Sequence, residues 1–333
     1  MRAVAVILCA FLSGCSRQPP QARATSKSPE KFTGPAKIDP RFDANFWSTW
    51  GDGKAELSAY DLTFPRYNQL RKGIAVTIFV TEQFSNSMRV KAEPGRHGPG
   101  DEFPVMKLNL IKDYQTGIYD YNDMLSTFIS LAPVNNRPAA TPTKISFSSQ
   151  EWCGHVFSQM LFGDQRIRLT QHSYFDGKGD QQRDLTYPDW GTAEDSLLLW
   201  ARGMAAPWMK AGVPMGRLLL TSLETSRGKH VSPAWSKGNL SVDQQSQRIQ
   251  TRAGAFDVEV WRVKRSDGTW RAMYVEKAAP KRIIKWETSE GEKAELLGSD
   301  RLKYWEMNKE GGEAALKRLG ISRATPPQLA PPR

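Results

Sequence analysis

The chain has 333 residues, 39% of them hydrophobic, and a formal net charge of +11 from 46 Lys and Arg against 35 Asp and Glu. That length is enough to bury a full hydrophobic core. The basic residues are dispersed, with no run of five, no zinc finger and no basic helix, which argues against a nucleic-acid partner and leaves a general attraction to acidic surfaces.

At the N-terminus, Arg2 precedes an apolar run over 3–12 that is too short to span a bilayer as a mature helix. This is the pattern of an export signal. The run ends in Leu12-Ser13-Gly14-Cys15, which resembles the lipobox of bacterial lipoproteins. The resemblance implies that residues 1–14 are a signal peptide and that Cys15 carries acyl chains, palmitate among them. Several chains give a stable membrane anchor where one does not. Ser16 follows in place of an Asp, which implies the outer membrane, with the protein facing the periplasm. Cys9 leaves with the signal, so Cys153 is the one remaining plain thiol and no intrachain disulfide is expected. Residues 15–40, rich in Pro, Ser, Ala and Lys, read as a disordered tether.

Beyond the tether, aromatic residues cluster at Phe46, Trp47 and Trp50. Residues 54–62 alternate, with Ala55, Leu57 and Ala59 on one side. Residues 73–80 are β-branched and apolar on both faces, the signature of a central strand. Further strands are predicted over 105–111 and 117–131. The spacing predicts a helix over 193–202, with Thr192 as cap and acids in its first turn, then strand character over 217–224. Asp267-Gly268 reads as a two-residue hairpin turn that sets Val263 opposite Ala272, Trp261 opposite Tyr274 and Val260 opposite Val275. A second hairpin turns about Glu290-Gly291, short helical segments follow over 300–306 and 313–319, and residues 321–333 read as a disordered Pro-rich tail. Many strands, regular turn signals and one clear helix predict a mostly β protein, a curled antiparallel sheet or half-barrel, over 41–320. A division of the body near 190–215 is left open.

Residues 145–175 hold the candidate chemistry. They read as two long strands around a Gly163-Asp164 turn, which puts His155 opposite His172 and Cys153 opposite Tyr174. Trp152, Val156, Met160, Ile167, Leu169 and Phe175 then share the apolar face, since side chains alternate. Directly opposed Cβ atoms lie ~5 Å apart. Cys153, His155 and His172 could therefore converge on a zinc ion with an open position, or a His could activate Cys153 as a nucleophile. Against both stands a scaffold role for these residues, because one more turn residue separates them.

Residues 256–297, with Gly254-Ala-Phe-Asp257, Ala279-Pro280 and Ile283-Ile-Lys-Trp-Glu287, resemble exported bacterial β-proteins of unknown function. Their fold is similar to the half-barrel of lipoprotein-localisation factors. WGDGKAELSAY, MKLNLIKDYQTGIYDYN and SFSSQEWCGHVF resemble uncharacterised bacterial lipoproteins, some labelled septum-formation inhibitor. The Ser-rich SxSPRR opening of the nucleotide pyrophosphatases that bear that label is absent, so their activity is not implied. The chain thus reads as a membrane-anchored, non-enzymatic lipoprotein that binds a hydrophobic ligand or an envelope partner, with no cofactor. The alternatives are a metal- or thiol-dependent hydrolase at Cys153, His155 and His172, and a structural envelope-assembly component.

Overall fold

The computed structural model describes residues 38–98 and 100–322. The expected signal peptide, the expected lipidation site Cys15, most of the expected tether and residues 323–333 lie outside the described residues. After helix α1 (Ala44–Trp50) the strands are β1 (Ala55–Arg66), β2 (Gln69–Ser85), β3 (Glu102–Thr116), β4 (Tyr119–Ser130), β5 (Pro142–Glu151), β6 (Gly154–Phe162), β7 (Arg166–Ser173), β8 (Gln181–Thr186) and β9 (Gly191–Ala193). Helix α2 (Leu197–Ala201), β10 (Met215–Leu220) and helix α3 (Leu223–Lys229) follow. The chain continues with β11 (Trp235–Val242), β12 (Gln247–Thr251), β13 (Gly254–Arg265), β14 (Trp270–Glu276), β15 (Ile283–Thr288) and β16 (Lys293–Leu302).

All sixteen strands join one sheet, in the order β8-β7-β6-β5-β4-β3-β2-β1-β16-β15-β14-β13-β11-β10-β9, with β12 on β13. Neighbours are antiparallel except β9 and β10. The sheet is curled and unclosed, with β8 and β9 as its end strands. Native strand twist makes a sheet this wide curl, and one contact shows how far. β2 and β1 separate β3 from β16, which in a flat sheet means ~14 Å. Yet Lys112 of β3 lies 2.8 Å from Glu292, the residue just before β16. Side chains from both halves of the sheet therefore meet in one core, which includes Leu62, Met106, Ile145, Met160, Val260 and Trp286.

Residues 193–205 and helix α3 pack inside the curl, where Leu197–Ala201 and Leu223 join the core. Glu194–Ser196 is a short 3-10 turn leading into α2, whose five residues are all buried. Arg202 makes a bidentate pair with Glu56 at 2.6 and 3.0 Å, both side chains excluded from water. Residues 193–205 and α3 are thus an internal plug, while residues 210–214 lie at the surface. Thr192 does not cap the helix: its hydroxyl accepts a bond from Arg217, and no side chain caps the turn at Glu194. Strand character after 215 ends at Leu220, and α3 takes over, with the Ser222 hydroxyl accepting from Thr225 N.

The predicted apolar side of residues 54–62 is real, but it faces outward. Ala55, Leu57 and Ala59 form a second cluster with Leu302 and Leu319, covered by the 3-10 segment Gly312–Leu319. Their neighbours Glu56, Ser58 and Tyr60 are also buried, so β1 is covered on both faces. The aromatic cluster at Phe46, Trp47 and Trp50 is a helix capped by Asp43, which accepts from Phe46 N.

Residues 145–175 form parts of three strands. Inward residues are odd-numbered in β5 (Ile145, Phe147, Ser149) and even-numbered in β6 (Val156, Ser158, Met160, Phe162). That phase break is a turn at Trp152-Cys153, where the Glu151 carboxylate accepts from Cys153 N. Trp152 is consequently exposed, not part of the apolar face. The next turn is Asp164-Gln165: Gly163 N donates to Arg166 O at 2.8 Å and Phe162 pairs with Ile167. Moving the turn by one residue slides the partners by two, so the faces are as expected but the neighbours are not.

The β13–β14 hairpin departs by one residue. Gly268 adopts φ +90°, Arg265 N donates to Thr269 O, and Asp267 accepts from Thr269 N. This three-residue turn with a left-handed glycine pairs Val263 with Arg271, Trp261 with Met273 and Val260 with Tyr274.

Candidate functional site

At one end of the curl a cavity of about 620 Å³ opens between the β1–β2 turn, the inner faces of β3, β4 and β5, helix α3 and the β15–β16 turn. Its wall is aromatic. Phe64 and Tyr114 have ring centroids 4.8 Å apart, and Tyr114 stacks on Tyr121 at 5.0 Å. The β1–β2 turn places Tyr67 and Asn68 at φ +53° and +57°, a two-residue turn that is costly for a bulky residue. The Tyr67 hydroxyl, 2.7 Å from that of Tyr121, ties it down.

The floor is ionic. β3 alternates inward through Met106, Leu108 and Leu110, and Lys112 and Tyr114 continue that phase. Asp123 of β4 pairs directly with Lys112 in the ladder. Lys112 Nζ lies 2.8 Å from both Glu224 and Glu292. Glu292 also accepts from Trp286 Nε1 at 2.7 Å and lies 3.5 Å from Arg271. Burial opposes ionisation of Glu292, but Lys112 and Arg271 outweigh it and hold its pKa down at about 2. Burial raises the pKa of Asp123 and Glu224 despite Lys112. Asp123 Oδ2 accepts from the Tyr114 hydroxyl at 3.2 Å, whereas Asp123 Oδ1 is buried without a partner.

Helix α3, which carries Glu224 and Arg227, is held by its N-terminus. Asp195 accepts from Leu223 N and Glu194 from Ser222 N, carboxylates placed where the helix dipole favours them. Burial nonetheless pushes the Asp195 pKa up to about 8. Arg265 pairs with Glu194 at 2.5 Å. A second space of about 250 Å³ adjoins the cavity and shares Thr225, Lys229, Arg271, Thr288 and Glu290 with it.

The residues expected to carry chemistry lie elsewhere. Cys153 is exposed in its turn, and the bond to the Glu151 carboxylate pushes its thiol pKa up, away from the reactive thiolate. His155 pairs with Gln150, while His172 pairs with Phe157 and contacts Asp180 at 2.9 Å. The two histidines are not opposed, and Cys153 is not on the β7 ladder, because the two turns sit where the register above requires. Among the described residues no group of three or more His, Cys, Asp or Glu is arranged to hold a metal ion. The ionic floor did have a sequence signal: Lys112 and Asp123 are charges in phase with apolar alternation. Glu224 and Glu292 had none: each falls at the end of a predicted strand, where a charge is ordinary, and the structure places Glu224 in α3 and Glu292 just before β16.

No protein-family model matches the chain, and no curated protein matches it. The chain is similar to the crystal structure of a beta-barrel-like protein of domain of unknown function DUF1849 from Brucella abortus, with TM-score 0.41 and 11% sequence identity, over 74% of this chain and 97% of that one.

Proposed function

We propose that the protein is a lipid-anchored, periplasm-facing envelope lipoprotein, without enzymatic activity, that binds a ligand inside its curled sheet. The cavity carries this reading. Its volume of about 620 Å³ lies in the range of small-molecule sites, and its aromatic wall faces a charged floor with an unpartnered carboxyl oxygen. The wall suits the apolar face of a ligand, and the floor requires polar groups, so the ligand is amphipathic rather than purely hydrophobic. The lipobox ending at Cys15 supports the anchor.

Native mass spectrometry of the full chain extracted from envelopes tests the binding. Ser149, 3% exposed, lines the cavity, and Ser149→Trp fills it. Wild type is expected to carry a small molecule that Ser149→Trp lacks while still folding. A wild type that carries nothing, or a variant that retains the ligand, refutes the reading. The anchor is tested separately: Cys15→Ala should abolish palmitate labelling and release the chain from membranes.

A further inference from the structure

Four cationic side chains border the cavity, namely Arg66, Arg227, Lys229 and Arg271. Two have carboxylate partners: Lys229 meets Glu290 at 2.5 Å and Arg271 meets Glu292 at 3.5 Å. The other two have none among the described residues. Arg66 donates to the Tyr121 hydroxyl at 3.2 Å and lies over the rings of Tyr67 and Tyr121 at 4.7 and 4.9 Å. Arg227 lies over Phe175 at 4.4 Å. The Nε atoms of both are buried and unpartnered. Both border the same cavity and both act on His230, and a Cβ built on Gly228, next to Arg227 in helix α3, would lie 3.9 Å from Arg66 Nη1.

Resting on the reading of the cavity as a ligand site, we propose that Arg66 and Arg227 form an oxyanion subsite at its mouth, for an anionic, hydroxyl-rich ligand of sugar size. The phosphate or carboxylate of such a ligand would take the two guanidinium forks, which match oxyanions in geometry and charge. Aromatic contacts already hold both forks in place, so little ordering is left to cost affinity. Deeper in, ligand hydroxyls would donate to Glu224, which lines the cavity, and the sugar's C–H face would lie against the aromatic wall. A neutral lipid would fit that wall but offer no oxygen to the two guanidinium groups, which have no carboxylate partner among the described residues, at a cost for each. A bare phosphate would satisfy the arginines but fill little of the space.

His230 reports on this subsite. Its pKa is lowered by burial and then by Arg227, Arg66 and Lys178, and Lys178 Nζ donates to its carbonyl at 3.1 Å. An anion held by the two arginines would offset that field and raise it.

The experiment is calorimetric titration of the full chain in detergent with glucose 6-phosphate, glucuronate, glucose and inorganic phosphate. The two anionic sugars are expected to bind at least about tenfold more tightly than glucose or phosphate, and less tightly as salt is raised. Gly228→Asp, at an exposed position with ordinary contact distances, sets an internal carboxylate beside Arg66 and should weaken the anionic sugars about tenfold without affecting glucose. Arg227→Gln should do the same. In NMR titrations the His230 signal should shift to a higher pKa when glucose 6-phosphate saturates the protein. Equal binding of glucose and its phosphate, or unaltered binding by a folded Gly228→Asp, overturns the oxyanion subsite. So does failure of all four probes, while the Ser149→Trp experiment still decides independently whether the cavity holds a ligand.

Discussion

Lys112 is 1% exposed and its ammonium is shared by two carboxylates at 2.8 Å, one on the wall and one on the plug helix. Lys112→Met keeps the length and apolar stem of the side chain but leaves those carboxylates without it. Removing one partner of a buried ion pair costs about 3–5 kcal/mol. Glu292 retains Arg271 and the Trp286 indole, and Glu224, with its pKa already raised, can take up a proton. The loss should therefore fall at the lower end, about 3 kcal/mol at neutral pH, read from urea unfolding followed by tryptophan fluorescence. Acid should narrow it. The folded pKa of Glu292, about 2, lies below its ordinary 4.5, so its stabilisation is present above pH 4.5 and is lost as pH falls toward 2. Without Lys112 that pKa rises and the acid-dependent loss shrinks, so wild type and variant converge at low pH. A double-mutant cycle with Glu292→Gln should show a coupling of about 2 kcal/mol. A loss below about 1 kcal/mol, or a deficit that does not shrink in acid, would refute the view that this ion cluster ties the plug to the sheet.

Asp195 behaves with the opposite sign. Its pKa is raised from 3.8 to about 8, so folding stability should decline as pH rises from 3.8 to 8, by at most about 1.4 kcal/mol per pH unit. Asp195→Asn should flatten that slope, and an unchanged profile in unfolding titrations would contradict the assignment. Gly298 lies beneath the C-terminal segment, where an added Cβ would sit 2.6 Å from the Leu319 carbonyl carbon and 2.8 Å from its oxygen. Gly298→Val should lift residues 312–319 off Ala55 and Leu57, exposing them to limited proteolysis at a cost of about 1–3 kcal/mol. Cys153→Ser and treatment with a metal chelator should each leave stability unchanged within about 0.5 kcal/mol, and a larger change would restore the Cys153 and histidine site to consideration.

How much was legible can be seen strand by strand. The alternation of β5, β6 and β7 is local, a consequence of the two-residue repeat, and it placed Val156, Met160, Ile167 and Leu169 together on one buried face. Partners across a hairpin depend on a single turn residue, and there the reading slipped. Asp164-Gln165 rather than Gly163-Asp164 forms the turn, so the Cys153, His155 and His172 cluster does not form. At Gly268 the left-handed glycine closes a three-residue turn in place of a two-residue one and slides the partners by one.

The sequence by itself determined the mostly β class, the run of strands and turns, and which residues of each strand share a face, because these follow from neighbours one and two positions away. The tertiary structure alone decided which face lies inside. Ala55, Leu57 and Ala59 look like core and are core, but on the outer side, because a segment some 250 residues later covers them. It alone also made the site. Lys112 and Asp123 face each other across the β3–β4 hairpin, but Glu224 and Glu292 come from distant parts of the chain. Only the curl of the sheet brings both within 2.8 Å of Lys112, where low dielectric makes the pairing strong and unpaired groups costly.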